Sequence, residues 1–154
     1  MVTKVKLQIY ILIIFMIMET KIESRTGTIK ASEENIYNFI ADFNNFKGFI
    51  PADKIQDFQS SKDHCHFKVT GIGEVGLRII EREPFKTIKV TGDGMANQQF
   101  LLWVQLKQVA EKDTRIKLTI KAELNPVLKM MATKPLQNFL DKLVDAMENV
   151  DFGG

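Results

Sequence analysis

His64-Cys65-His66-Phe67-Lys68-Val69-Thr70 alternates without a slip, with Cys65, Phe67 and Val69 on one side and His64, His66, Lys68 and Thr70 on the other. Side chains of a β-strand point alternately to opposite faces, so this stretch reads as a strand with one buried face and one wet one. The pattern then recurs. Val75, Leu77 and Ile79 continue the apolar set, opposed by Arg78 and Arg82, until Pro84-Phe85 ends the strand. Ile88 and Val90 carry it through Lys86 to Thr91, and Phe100, Leu102, Val104 and Leu106 through Gln99 to Val109. Ile116, Leu118, Ile120 and Ala122 supply the last strand. Gly92-Asp93-Gly94 and Glu111-Lys112-Asp113 are turns of the kind that join hairpin neighbours, which makes the sheet antiparallel.

Outward from this run, Thr20 to Ala31 reads as a first strand, rich in Thr and Ile, with Gly27 as a bulge. Ser32 is a helix N-cap, and Glu33 and Glu34 follow in the first turn, where the helix dipole favours negative charge. Ile36, Phe39, Ile40 and Phe43 give that segment an apolar face, which Asn44-Asn45 and Lys47-Gly48 interrupt before Pro51. After the strands, Asn125-Pro126 closes the sheet, and Val127 to Ala132 makes a short helical turn carrying Met130 and Met131. Pro135 is placed to start a separate long helix, since its missing N–H would be unpaired at that position anyway. Leu136, Phe139, Leu140, Leu143, Val144, Met147 and Val150 then follow helical spacing. A helix with that stripe must lie on something apolar, and the concave face of the sheet is the surface large enough to receive it. The expected class is therefore α+β: a curved antiparallel sheet wrapped around a long C-terminal helix, with two short helices after the first strand.

A chain of 154 residues with 45% hydrophobic and 26% charged residues suits one domain with a real core. The net charge of +2 is spread along the chain rather than gathered into a basic stripe, which argues against nucleic acid as a partner. Cys65 is the single cysteine, so there is no internal disulfide, and a reducing compartment fits. Lys4 and Lys6 precede an apolar run from Ile9 to Met18 that differs from everything after it. As a secretory signal it is followed by Glu19-Thr20-Lys21-Ile22-Glu23 instead of a small-x-small cleavage site. As a membrane span it falls short of the roughly 20 apolar residues needed, and Gln8 breaks it early. The preferred reading makes Met18 the natural start. Residues 1–17 are then an extraneous extension, or else a signal or anchor, and 18–151 are the domain. Cytoplasmic location follows if Met18 is the start, export or anchoring otherwise, and the domain itself is not expected to insert stably into a membrane.

The element order resembles that of the START-like superfamily, also called SRPBCC, which includes the major birch pollen allergen, lipid-transfer START domains and the polyketide cyclase/dehydrase family. Ile29-Lys30-Ala31-Ser32-Glu33-Glu34-Asn35-Ile36-Tyr37 is similar to that group's first strand passing into its first helix. Phe46 to Pro51 looks like the turn after the second helix, and Val75 to Pro84, ending Glu81-Arg82-Glu83-Pro84, like a central strand. The resemblance runs from Lys21 to Val150 and implies a helix-grip fold around a space for an apolar molecule. Where plant members carry a Gly-rich loop this chain has Ser60-Ser61-Lys62-Asp63, so their ligand preferences do not transfer. A lipocalin lacks paired helices after its first strand, and an NTF2-like cone places its long helices earlier.

No catalytic signature stands out. Gly71-Ile72-Gly73-Glu74-Val75-Gly76 spells a dinucleotide fingerprint, but a strand follows it where phosphate binding needs a helix N-terminus, so it reads as a hairpin. His64 and His66 share a strand face without a third metal ligand near them and read as solvated. Cys65 reads as a small core residue, with no base placed to activate it. Arg78, Glu81, Arg82, Asp93 and Trp103 read as outer-face groups before any pocket role is considered. Neither a cofactor nor a metal is expected. The leading function is binding or transport of a small hydrophobic molecule, lipid, polyketide or isoprenoid in type, in an internal cavity. Its expected lining is Phe67, Leu77, Ile79, Leu102, Val104, Leu118, Phe139, Leu143 and Met147, which the two periodicities bring to one face of each element. The alternatives are a cyclase or dehydratase acting on a hydrophobic substrate, and a partner-binding domain with a collapsed cavity.

Overall fold

The computed structural model describes residues 2–16, 18–48, 50, 52–71, 73–93 and 100–153. Pro51, Ile72, Gly94 and Gln99, assigned above to turns and a strand start, lie outside them. A helix α1 (Val2–Met16) leads into β1 (Met18–Glu23) and β2 (Gly27–Ile29); α2 (Glu33–Ile40) and a 3₁₀ turn over Phe43–Gly48 follow. Six further strands come next: β3 (Ile55–Ser60), β4 (His64–Val69), β5 (Gly73–Glu83), β6 (Thr87–Gly92), β7 (Phe100–Ala110) and β8 (Asp113–Leu124). The helix α3 (Pro126–Glu148) closes the chain. The sheet is antiparallel throughout, in the order β1-β8-β7-β6-β5-β4-β3, with β2 also paired to β8.

The expected first strand is two strands. The chain breaks at Ser24, which keeps the ladder whole by exchanging backbone and side-chain hydrogen bonds with Leu118: its N–H donates to the Leu118 carbonyl and its Oγ accepts from the Leu118 N–H, both at 2.9 Å. Gly27 is therefore no bulge but the first residue of β2, opposite Ile116. Ser32 caps α2 as its sequence demands, Oγ accepting from the Asn35 N–H at 3.1 Å. The next turn of the cap is held by a reciprocal pair, since the Glu33 N–H donates to Gln108 Oε1 at 3.0 Å and the Gln108 N–H to Glu33 Oε2 at 3.1 Å. Lys86 Nζ adds a charge-assisted bond to the same carboxylate. This seats the helix on the end of β7.

Two further expectations are corrected. α3 is one helix from Pro126 to Glu148, with Asn125 as its N-cap and Pro135 inside it rather than at a new start. Pro126 already occupies the tolerated first-turn position, and the carbonyl that Pro135 leaves without its helical donor belongs to Met131, which is exposed and open to water. Arg82 does not stay on the outer face with Arg78. The β5–β6 register slips between Ile79 and Glu81, so Ile79 pairs with Val90 and Arg82 with Ile88, both partners on the buried side. The Arg82 guanidinium, carried to the inner rim, donates to the Ala41 carbonyl at 2.9 Å and to Asp63 Oδ1 at 2.5 Å, pinning the end of α2.

The core lies between the concave face and α3. Leu140, Val144 and Met147 are essentially fully buried, and α3 packs on β8, β1 and β2. An ion cluster locks its far end: the Arg25 guanidinium pairs with Asp145 and Glu148, the Arg25 N–H donates to Asp141 Oδ1 at 2.8 Å, and the Thr28 N–H to Glu148 Oε2 at 2.9 Å. Those bonds hold the Glu148 carboxyl below its ordinary range.

Candidate functional site

Cross-strand register decides which side chains meet above the sheet. One row runs Ile22, Ile120, Leu102, Val90 and Ile79 from β1 to β5, and the next contains Leu118, Val104 and Ile88. Further out, Cys65 pairs with Leu77 and Phe67 with Val75. The six expected lining residues on strands, Phe67, Leu77, Ile79, Leu102, Val104 and Leu118, thus share the concave face, as the period-two reading requires.

The helix contributes unequally. Met147 is buried with Leu140 and Val144 on the side that presses on β8, β1 and β2. Phe139 and Leu143 sit on the flank of that stripe and stay half-buried against the core. On the sheet, Leu77 and its neighbours Val75 and Phe100 are half-buried too, whereas Phe67, Ile79, Leu102, Val104 and Leu118 are buried. Part of the apolar surface of Leu77, Val75 and Phe100 on the sheet and of Phe139 and Leu143 on the helix thus stays accessible while the rest packs against the core.

Two residues of this face were missed by the sequence reading as site residues. Phe100 faces inward opposite Ala122, and its ring crosses Gly92, where an added Cβ would meet the ring at 2.6 Å. A glycine inside a strand often marks such a close approach, which was the available signal. Thr20, opposite Ala122 and nearly inaccessible, brings a hydroxyl into this apolar face, and Oγ1 has no hydrogen-bond partner among the described residues.

Two open grooves lie elsewhere. One of about 520 Å³ is bounded by Phe39, Asn45, Gly48, Ala146, Asn149 and Val150, where α2 and the 3₁₀ turn approach the end of α3. The other, about 410 Å³, lies at the sheet edge beside Gln56, Lys68, Thr70 and Glu74. None of the nine expected lining residues borders either groove. The first is nonetheless one turn beyond Leu143, at Ala146, on the half-buried flank of α3.

The other singled-out groups have structural surroundings. Gly71 and Gly73 both have positive φ, at 84° and 105°, and β5 follows directly, so the glycine motif forms the β4–β5 hairpin. Gly76, within β5, lies against Asp93: the Asp93 N–H donates to its carbonyl at 2.8 Å, and a Cβ there would strike the Asp93 carbonyl oxygen at 2.1 Å. His64 Nε2 lies 3.5 Å from Asp93 Oδ2 on the exposed side. Cys65 is buried, and burial pushes its thiol up to about 12, far from a thiolate at neutral pH. Trp103 lies on the outer face between Lys89 and Lys121, each ammonium 5.6 Å from the ring centre.

The fold is that of the START-like helix-grip proteins. A START superfamily protein from Mycobacterium smegmatis superposes with a TM-score of 0.66 at 15% identity, over 84% of this chain and 94% of that one. Norcoclaurine synthase from Thalictrum flavum, solved with dopamine and hydroxybenzaldehyde, superposes with a TM-score of 0.68 at 12% identity, over 87% of each chain. The protein XoxI from Bacillus cereus does so with a TM-score of 0.64 at 14% identity, over 84% of this chain and 92% of that one. No protein-family model matches the chain, and no curated protein sequence does.

Proposed function

We propose that this helix-grip domain binds a small, largely apolar molecule in the crevice between the concave sheet face and α3. The observation that carries the reading is the half-buried apolar surface left on both walls: Leu77 and Phe100 on the sheet, Phe139 and Leu143 on the helix. A monomeric core closes such surface when it can, because each square ångström removed from water is worth about 25 cal/mol. Partly open apolar surface on both elements suits a guest that completes the core. Lipid, polyketide and isoprenoid skeletons have the required shape and polarity. The synthase of the same fold, solved with dopamine and hydroxybenzaldehyde, shows that such a scaffold can hold small aromatic molecules in another protein.

A fluorescent fatty acid titrated into the protein tests this reading. Saturable binding is expected, since each methylene leaving water gains roughly 0.8 kcal/mol. Leu143→Trp or Val104→Phe, which fill the space, should weaken that binding at least about tenfold, a loss of roughly 1.4 kcal/mol. A solid core would instead answer the same overpacking with a loss of roughly 1–3 kcal/mol of stability and would show no saturable binding by the parent protein, which would overturn the proposal.

A further inference from the structure

Met18 pairs with Leu124, so β1 begins where β8 ends. α1 stops at Met16, just before that pair, and α3 starts at Pro126, just after it. Two helical segments therefore leave the sheet from one corner, and both present large apolar side chains to solvent. On α1 these are Val5, Leu7, Ile9 and Ile11, each about half exposed or more; on α3, Met130 and Met131 are 84% and 68% exposed. Exposed apolar side chains scattered singly need no explanation, but concentrated at one corner they mark an interaction surface.

The charge on these two segments has one sign, while Glu19 and Glu123 are paired on the sheet one residue inside the corner. Across Val2–Met16 and the first half of α3, from Pro126 to Gln137, the charged residues are Lys4, Lys6, Lys129 and Lys134, with no Asp or Glu. We propose that this corner docks on the surface of an anionic lipid bilayer, α1 lying in the interface with the exposed turns of α3 beside it. The combination selects the partner. A second copy of the chain would set lysines against lysines, and a nucleic acid has no use for exposed Ile and Met. An anionic bilayer surface takes up both, the acyl boundary receiving the apolar side chains and the headgroups the ammonium groups. The docking is lateral, because α1 has 15 residues and no helix among the described residues is long and apolar enough to cross a membrane. The inference rests on this surface alone and does not depend on the crevice being a ligand site.

Flotation of the full chain with phosphatidylcholine vesicles, with and without phosphatidylserine, tests it. Binding to the phosphatidylserine vesicles is expected, falling as salt is raised, with little on phosphatidylcholine alone. Lys4→Gln and Lys6→Gln should weaken it about fivefold for each lysine lost. Met130→Ser with Met131→Ser should weaken it on the phosphatidylserine vesicles at every salt concentration, and because both side chains are exposed the thermal melt should not move. Equal binding to both vesicle types would overturn the electrostatic half of the proposal. Binding indifferent to the methionine changes would remove α3 from it, and dimerisation in light scattering without vesicle binding would assign the surface to a second copy and overturn it altogether.

Discussion

Val144 stands directly over Gly27: a Cβ added at Gly27 would fall 2.5 Å from Val144 Cγ1 and 3.0 Å from Ile116 Cγ2. The glycine is there for room. It lets α3 approach β2 closely enough for Thr28 and Arg25 to reach Glu148, so the packing and the ion cluster depend on the same missing side chain. Gly27→Ala must push α3 away or distort β8, and should cost about 1–3 kcal/mol. Gly27→Ala combined with Val144→Ala should lose less than the sum of the two single changes, because the second makes room for the first. Additive losses in chemical denaturation would show that the two residues do not press on each other.

The Thr20 hydroxyl poses a different problem, a buried polar atom with no partner among the described residues. A buried, unpaired hydroxyl costs stability that an apolar group of the same shape does not. Thr20→Val should therefore stabilise the protein by about 1 kcal/mol, raising Tm by about 2–4 °C for a chain of this size. A lower Tm would mean that the hydroxyl is satisfied in solution.

How far the sequence discloses this structure follows from which signals are local. Alternation is local, and so the six strand residues of the expected lining were legible and do share one face. Capping is local too, which is why Ser32 could be read directly. Register slips are not: the bulge that turns Arg82 inward depends on how β5 meets β6, and nothing in Ile80-Glu81-Arg82 announces it. Pro135 misled for a related reason, since a proline suits a helix start equally well, and only the exposure of Met131 shows why an interior proline is tolerated. The inequality between Met147, fully buried, and Phe139 and Leu143, half-buried, was invisible because helical spacing gives a stripe but not the line along which it touches the sheet.

Acid should loosen the grip of α3. Bonds from Arg25 and Thr28 hold Glu148 below its ordinary value of 4.5, so in the unfolded chain this carboxyl takes up a proton at higher pH than in the native one. Its contribution is then fully present above about 4.5 and is lost as pH falls below that value toward the lower native one. Glu148→Gln should lower stability near neutral pH and flatten the decline of Tm as pH falls below about 4.5. An acid limb as steep as that of the parent would place the titration elsewhere, for instance at Glu23, which Lys117 and Lys21 hold down at about 2.

Removing residues 1–17 separates folding from docking. β1 begins at Met18, and among the described residues its ladder with β8 runs from Met18↔Leu124 to Glu23↔Thr119. The described side chains of α1, from Thr3 to Ile11, are all exposed, so their loss removes little area that folding had buried. The shortened chain should therefore melt within about 2 °C of the full one, and with fewer exposed apolar side chains it should be the more soluble of the two. On phosphatidylserine vesicles the two should differ sharply, the full chain floating and the shortened one remaining with the unbound protein. Should the melt instead fall by much more than that, the last turns of α1 are seated on the domain, and residues 1–17 belong to the fold rather than to a surface that only lipid covers.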